Sequence, residues 1–187
     1  MNEGRDKNKS SDFKNYLEQA KQLDSDSFEL VYSKYLTPIY SYFVIRTSDK
    51  NLSQDLAHSV FIKAWESSQK ISDLDKILPW LFTIAKNTLI DYWRKKKEIP
   101  VDDIEFLENA GDKQDIEDDH DYGEKLKKIR KALLKLSDDQ RELVTLKFFE
   151  ELTNDEICSV TGKSSAAVRA LQYRSLTSLK KILKDEG

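Results

Sequence analysis

An acidic segment divides the chain into two parts. Residues 98–124 contain twelve acidic side chains and one lysine, Lys113, so the segment has a net charge of −11. That charge density opposes packing into a core, which predicts a linker. The whole chain of 187 residues has a net charge of −3, so the remainder has +8, the difference between −3 and −11. Two basic parts joined by an acidic linker indicate modules that bind anions.

The composition favours helices. The chain has only five glycines and three prolines, the residues that tight turns favour, so few tight turns are expected. Apolar residues also recur at helical spacing. Together these features predict an all-α fold of two small helical domains. No apolar run is long enough to cross a membrane, and the N-terminus lacks the apolar stretch of a signal peptide. The single cysteine, Cys158, cannot form an internal disulfide. We therefore expect a cytoplasmic protein without membrane insertion.

The first domain is predicted at residues 22–97, after a polar N-terminal segment of residues 1–21. Asp26 or Ser27 is expected to cap its first helix, and Pro38 to bend or divide that helix. The next helix places an apolar stripe inward. The stripe contains Leu56, Val60, Phe61 and Ala64.

A third helix, "LPWLFTIAKNTLIDYWRKKK", runs from Leu78 to Lys97 and ends in four cations. Helical spacing buries its aliphatic stripe and leaves Lys86 and Asn87 exposed. Cations in a last turn complement the helix dipole, but four in a row also suit a phosphate backbone. Both interpretations, a packed helix with a solvated basic end and a nucleic-acid surface, stay open on this segment alone.

The second domain is predicted at residues 125–184. Two capping boxes, Ser137–Gln140 and Thr153–Glu156, each open a helix. Thr161-Gly162-Lys163 is a three-residue turn with glycine, and Ser164 caps the helix that follows it. This order predicts a helix-turn-helix.

The outer face of that last helix suits DNA. It presents Arg169, Ala170 and Tyr173, with Arg174 beside them, and residues 161–184 hold six basic and no acidic side chains. Small residues let a backbone approach DNA, while arginine and tyrosine reach phosphates and base edges. The alternative is an ordinary helical hairpin with a solvated basic face.

The two domains, in this order and at this spacing, resemble the extracytoplasmic-function sigma factors of the sigma-70 family, which are subunits of bacterial RNA polymerase. The resemblance covers about residues 22 to 184. The segments that carry it are "SFELVYSKYLTPIYSY", "QDLAHSVFIKAWE", "PWLFTIAKNTLIDYWRKK" and "ALLKLSDDQRELVTLKFFEELTNDEI…AAVRALQYRSL".

This resemblance implies three binding surfaces. The surface for core polymerase contains Asp55, Leu56, His58 and Phe61. The surface for the minus-ten element, with its pocket for a flipped base, contains Lys63, Ser67, Ile71, Ile84, Asn87, Arg94, Lys95, Lys96 and Lys97. The surface for the minus-thirty-five element contains Lys147, Ser164, Ser165, Arg169, Ala170, Tyr173 and Arg174.

The function implied is a sigma factor that directs promoter-specific initiation, without catalytic residues, cofactor or metal. Its implied partners are promoter DNA, the β′ clamp and β flap of core polymerase, and an anti-sigma factor, since many family members are held by one. The acidic linker is either a nucleic-acid mimic for a positively charged polymerase channel or a spacer kept soluble by charge. The alternative function is a free-standing helix-turn-helix regulator that binds duplex DNA without polymerase.

Overall fold

The computed structural model describes residues 25–68, 76–98, 129 and 131–185, and the all-α fold is confirmed. No strand occurs within these ranges. A π-helical turn, Thr145–Phe149, directly continues the fourth helix. The labelled α-helices are α1 (Ser25–Thr47), α2 (Lys50–Ser67), α3 (Ile77–Glu98), α4 (Asp138–Val144), α5 (Asn154–Thr161) and α6 (Ser165–Asp185), and residues 131–134 are also helical.

Helices α1, α2 and α3 form the first module around an aromatic core. The predicted stripe of α2 is buried, with Val60 and Ala64 fully enclosed. The rings of Tyr42 and Phe82 meet edge to face with 5.6 Å between their centroids, a favourable geometry for aromatic pairs. Asp49 caps α2, because its carboxylate accepts the backbone N–H of Leu52 at 2.9 Å.

One expectation about α1 was wrong, and a second was wrong in part. The helix begins at Ser25, so Asp26 and Ser27 lie inside its first turn instead of capping it; an acidic side chain there is favoured by the helix dipole. The helix also continues through Pro38, so the expected division does not occur, while the alternative of a bend stays a prediction. A proline removes one backbone hydrogen bond, but Ile39 and Tyr42 just after it are buried, and this packing holds the helix together.

The second module includes the buried Leu133 and Leu136, which precede the predicted capping box of α4. Gln140 N–H donates to the Ser137 hydroxyl at 3.4 Å, and Ser137 N–H donates to the Gln140 side chain at 3.2 Å. The sequence predicts one continuous α-helix from this cap, but the chain widens into the π-helical turn, where Glu150 N–H bonds to the Thr145 carbonyl. The wider turn draws the chain back to the core, since Leu152 N–H bonds to the Leu146 carbonyl.

Burial raises the pKa of Glu150, at the end of this turn, from 4.5 to about 7. A carboxyl whose pKa is raised by folding destabilises the folded state once the unfolded chain ionises it, so stability should fall as pH rises from 4.5 to 7. We expect Glu150→Gln to raise the free energy of unfolding at pH 8 by about 1 kcal/mol, a value reduced for partial solvent exposure. Chemical denaturation at pH 5 and pH 8 measures it, and an equal gain at both pH values would contradict the prediction.

The helix-turn-helix forms as predicted. The Thr153–Glu156 capping box opens α5 with both reciprocal hydrogen bonds. Gly162 ends α5 at a φ of +70°, a left-handed conformation that favours glycine. The Ser164 hydroxyl then accepts the N–H of Ala167 at 3.3 Å and caps α6. These three local devices fix the angle at which α6 leaves the turn.

The two modules pack against each other. Helix α5 lies on α3, and buried residues of both modules form one continuous cluster that includes Phe82, Leu143 and Ile157. The sequence predicts two domains joined only through a linker, so this contact is an addition to the prediction. It places the polar faces of α1 and α3 beside α4.

Candidate nucleic-acid and polymerase interfaces

The outer face of α6 is exposed and basic. Tyr173 is 74% exposed, and Arg169, Ala170 and Arg174 are exposed beside it. Arg169 donates from Nη1 to the Ser165 hydroxyl at 2.8 Å, which holds its guanidinium along the helix. Arginine and tyrosine side chains in this setting can reach phosphates and base edges.

Lys147 and Ser164 have structural partners in the second module. Lys147 is half-buried and donates from Nζ to the Leu152 carbonyl at 3.1 Å. Ser164 caps α6. Both residues lie on segments that position the exposed face of α6. Each therefore has a structural contact within the module, besides the contact with the minus-thirty-five element that was predicted for it.

The basic end of α3 carries exposed cations. Arg94 forms an ion pair with Asp91 at 2.9 Å, and Lys95 is exposed. The Lys96 ammonium lies 5.8 Å from the centre of the Trp93 ring, a cation–π contact. Lys97 lies in the last turn of the helix, and its side chain is outside the described part. The cluster can attract phosphates without reading sequence.

The described residues that were predicted to flank a base pocket lie on α2 and α3. Lys63 donates from Nζ to the Thr88 hydroxyl at 3.0 Å and so bridges the two helices. Ser67 donates its hydroxyl to the Lys63 carbonyl one turn earlier. Ile84 is partly buried, and Asn87 is exposed, as predicted. Ile71 lies outside the described residues.

The predicted polymerase surface lies on α2 and separates into exposed and buried residues. Asp55 and His58 are exposed, while Leu56 and Phe61 are buried. The His58 ring stacks on Tyr32, whose hydroxyl lies 3.4 Å from Nδ1. Leu56 and Phe61 therefore support the surface from below.

An apolar groove that sequence reasoning missed adjoins these residues. It has a volume of 460 Å³ and lies between α1 and α2. Ile62 is 61% exposed and Trp65 is 46% exposed along its edge, and Phe28 packs edge to face on Trp65 with 5.0 Å between centroids. Exposed aromatics beside a groove are typical of a protein-binding surface. The sequence did contain a signal for this groove, because Ile62 and Trp65 are large apolar residues that fall outside the inward stripe of α2 and are therefore expected to be exposed.

The junction between the modules was also missed by sequence reasoning. Glu142 of α4 is buried, and the Tyr42 hydroxyl donates to its Oε1 at 3.4 Å. Burial, together with the Glu142 charge, raises the pKa of Tyr42. Lys86, predicted to be exposed, instead donates from Nζ to the Thr161 carbonyl at 3.0 Å. Its exposure was misjudged because the partner comes from a distant part of the chain.

Two further features are absent from the described part of the chain, a metal-ligand cluster and a membrane-spanning helix. Among the residues that the structure describes, no group of three or more His, Cys, Asp or Glu side chains could hold a metal ion. None of the described helices is long and apolar enough to cross a bilayer.

The structure combines a helix-turn-helix with a second helical module that contains a basic, aromatic helix. This combination defines the class of proteins that bind DNA through two helical modules. Two family models match these two modules in the same order along the chain. The model for sigma-70 region 2 matches residues 31–99, and the model for sigma-70 region 4 matches residues 126–179.

Curated relatives show the family. The chain is 31% identical to the RNA polymerase sigma factor YlaC of Bacillus subtilis over 160 residues, 83% of this chain and 91% of the relative. It is 30% identical to the ECF RNA polymerase sigma factor SigM of the same organism, over 80% of this chain and 91% of the relative. The chain belongs to the extracytoplasmic-function sigma factors of the sigma-70 family.

Solved structures share the fold. The sigma factor RpoE from Bartonella quintana, in complex with the anti-sigma factor NepR, is similar with a TM-score of 0.69 and 22% identity, over 84% of this chain and 97% of that chain. CnrH, in complex with the cytosolic domain of CnrY, is similar with a TM-score of 0.65 and 19% identity, over 88% of this chain and 92% of that chain.

Proposed function

We propose that this chain binds core RNA polymerase in the cytoplasm and directs it to promoters with minus-ten and minus-thirty-five elements. The observation that carries the proposal is that both sigma modules expose basic side chains on one helix each, α3 and α6. The chain contributes binding, and polymerase performs the chemistry. Apart from Glu98, which ends α3, the acidic linker lies outside the described residues, so its two interpretations stay predictions.

The second module binds the minus-thirty-five element as a duplex. Its α6 enters the major groove with Ala170 at the close approach, while Arg169, Tyr173 and Arg174 reach outward. Ser164 and Ser165 lie at the start of this helix, where backbone N–H groups favour a phosphate. Lys147 positions the helix-turn-helix through its bond to the Leu152 carbonyl and adds positive charge nearby.

The first module holds the opened minus-ten strand. Asn87 is exposed on α3 and can both donate and accept hydrogen bonds, which a base edge requires. Lys63, whose Nζ bridges α2 to Thr88 of α3, flanks the base pocket together with Ser67, Ile71 and Ile84. Cations at the end of α3 hold phosphates. Binding an unstacked base stabilises the open strand relative to the duplex.

Protein partners use the apolar surfaces. We assign the α1–α2 groove, with Asp55 and His58 at its edge, to the β′ clamp of polymerase. The β flap is assigned to the exposed Phe148 and Phe149 of the second module, which are 48% and 46% exposed. The relatives RpoE and CnrH were solved in complexes, and an anti-sigma factor is a proposed partner of this chain too.

Reconstitution with core polymerase tests the proposal. The purified chain should give specific initiation from a promoter carrying both elements only when core polymerase is present. A free-standing regulator would instead protect duplex DNA from nuclease digestion by itself, as a dimer on a palindrome. Strong, specific footprints without polymerase, and no initiation with it, would overturn the proposal in favour of that alternative.

Arg174→Ala should weaken recognition of the minus-thirty-five element without changing strand opening. A base-edge contact would cost about 1–3 kcal/mol and relax specificity at one base pair, whereas a phosphate contact would weaken all sequences alike. Footprinting on a set of single-base promoter variants separates the two roles. Lys184→Ala, at an exposed position at the far end of α6, is the control. Wild-type footprints on every variant would remove Arg174 from the interface.

A further inference from the structure

A buried hydroxyl interrupts the apolar stripe of α3. Helical spacing places Thr88 in line with Leu81, Ala85 and Leu89, and those three side chains are buried in the core. Thr88 itself is only 5% exposed. A buried hydroxyl costs free energy unless it forms a hydrogen bond. Because valine has the same shape and no polar group, the hydroxyl needs a role other than filling the core.

The partner of this hydroxyl is a cation from the neighbouring helix. Lys63 of α2 donates from Nζ to Thr88 Oγ1 at 3.0 Å, and the two residues lie 25 positions apart in the chain. Lys63 is exposed, whereas Thr88 is buried. A lysine side chain is long and flexible. The bond to Thr88 therefore ties the ammonium of an exposed residue to a buried position between the two helices.

The bond leaves the ammonium able to bind an anion. Thr88 is neutral, so it does not neutralise the charge of Lys63. An ammonium has three N–H donors, and Thr88 accepts one of them. A cation that is held in one position in this way suits a single phosphate group, which accepts charged hydrogen bonds.

The ammonium lies beside the surface that we assign to the opened minus-ten strand. Thr88 directly follows Asn87, which is exposed on α3 and assigned to a base edge. Ser67, one turn after Lys63 on α2, donates its hydroxyl back to the Lys63 carbonyl. Of these two α2 residues, Lys63 is therefore the one that still offers charged donors to the strand.

We propose that Thr88 is a positioning residue, which holds the Lys63 ammonium against a single backbone phosphate of the opened strand, next to the base that Asn87 reads. This inference rests on the proposed function. Fixing a flexible side chain before binding lowers the entropy that is lost in the complex. Thr88 thus increases affinity for the unpaired strand without touching it. The cations at the end of α3 act differently, since such a cluster attracts phosphates without selecting one.

Thr88→Val tests the role with little change of shape. The variant removes the acceptor, and the released ammonium is exposed and can bind water, so helicity and the unfolding midpoint should match wild type. Open-complex formation with core polymerase should fall about fivefold. Thr88→Ser keeps the hydroxyl and should open promoters at the wild-type level. The matched control is Thr145→Val, which removes a buried hydroxyl of the second module and should leave opening unchanged.

A double-mutant cycle separates positioning from packing. Lys63→Met, at an exposed position, should reduce opening about 20-fold. Adding Thr88→Val to Lys63→Met should reduce opening no further, because Thr88 acts only through Lys63. A role of Thr88 in packing alone would give the same fivefold loss in both backgrounds, and that result would overturn the inference.

Neutral linkages in the DNA test the contact with a single phosphate. A methylphosphonate replaces one phosphate at a time in the opened strand of the minus-ten element. The ratio of opening between wild type and Thr88→Val should fall from about five to about one at a single linkage and stay unchanged at the others. A ratio that is the same at every linkage would overturn the inference.

The same measurements distinguish the two proposals. Wild-type chain that opens promoters, together with a folded Thr88→Val variant that opens them equally well, would reject this role of Thr88 and keep the proposed function. Wild-type chain that opens no promoter with core polymerase would reject the proposed function, and this inference with it.

Discussion

Replacing Lys95, Lys96 and Lys97 with alanine should reduce open-complex formation on every promoter, by about 10²-fold at low salt. Each ammonium that neutralises a phosphate releases counterions, so three of them should flatten the slope of log affinity against log salt by about 2–3. The effect should not depend on sequence, since phosphates carry none. Titration of open complexes between low and moderate salt measures both quantities.

Asn87→Ala is the matched comparison on the same helix. It removes an exposed amide and no charge, so the salt slope and duplex binding should match wild type while strand opening falls. Permanganate reactivity of unpaired thymines reports that opening. If Asn87→Ala and the triple lysine variant give the same uniform, salt-sensitive loss, α3 is an electrostatic anchor and the base-reading role of Asn87 is wrong.

Ile62→Asp should weaken binding to core polymerase by at least about 30-fold, with little effect on stability. Ile62 is 61% exposed at the edge of the α1–α2 groove, so a carboxylate there meets solvent in the free chain and apolar surface in the complex. Co-purification and a binding titration with core polymerase measure the loss. Leu183→Asp, the same kind of change at an exposed position of α6, should bind normally.

Phe61→Ala gives the contrasting result in this region. Phe61 is 3% exposed and meets the Tyr32 ring edge to face at 4.8 Å between centroids. Its truncation should cost about 3–5 kcal/mol of stability. A loss of polymerase binding by Phe61→Ala alone could therefore result from unfolding and would not show that Phe61 contacts polymerase. A folded Ile62→Asp variant with undiminished polymerase binding would exclude the groove as the docking surface.

The local signals of the fold were readable from the sequence because each depends on neighbouring residues. Both capping boxes, the Gly162 turn and the buried stripe of α2 formed as predicted. The start of α1 was not readable, and the sequence left open whether Pro38 bends or divides this helix. The burial of Ile39 and Tyr42 just after the proline favours the continuous helix. The π-helical turn after Val144 likewise depends on tertiary packing, because it allows Leu146 and Leu152 to be buried in the core.

The candidate site was predictable where it depends on exposure along one helix. Helical spacing correctly placed Asn87, Arg169 and Tyr173 outward. It failed for Lys86, whose partners Thr161 and Glu142 lie far along the chain and could be found only from the packed structure. Motif matching also did not separate Phe61, which is buried, from Asp55, which is exposed on the same helix.

The contact between the modules has a thermodynamic consequence, because one continuous chain carries both of its sides. A covalent connection gives each module an effective concentration near the other on the order of millimolar. An interface too weak to join separate molecules at micromolar concentration can therefore stay closed within the intact chain. Separately expressed modules should not associate when mixed, and proteolytic cleavage between residues 98 and 129 should release them from each other.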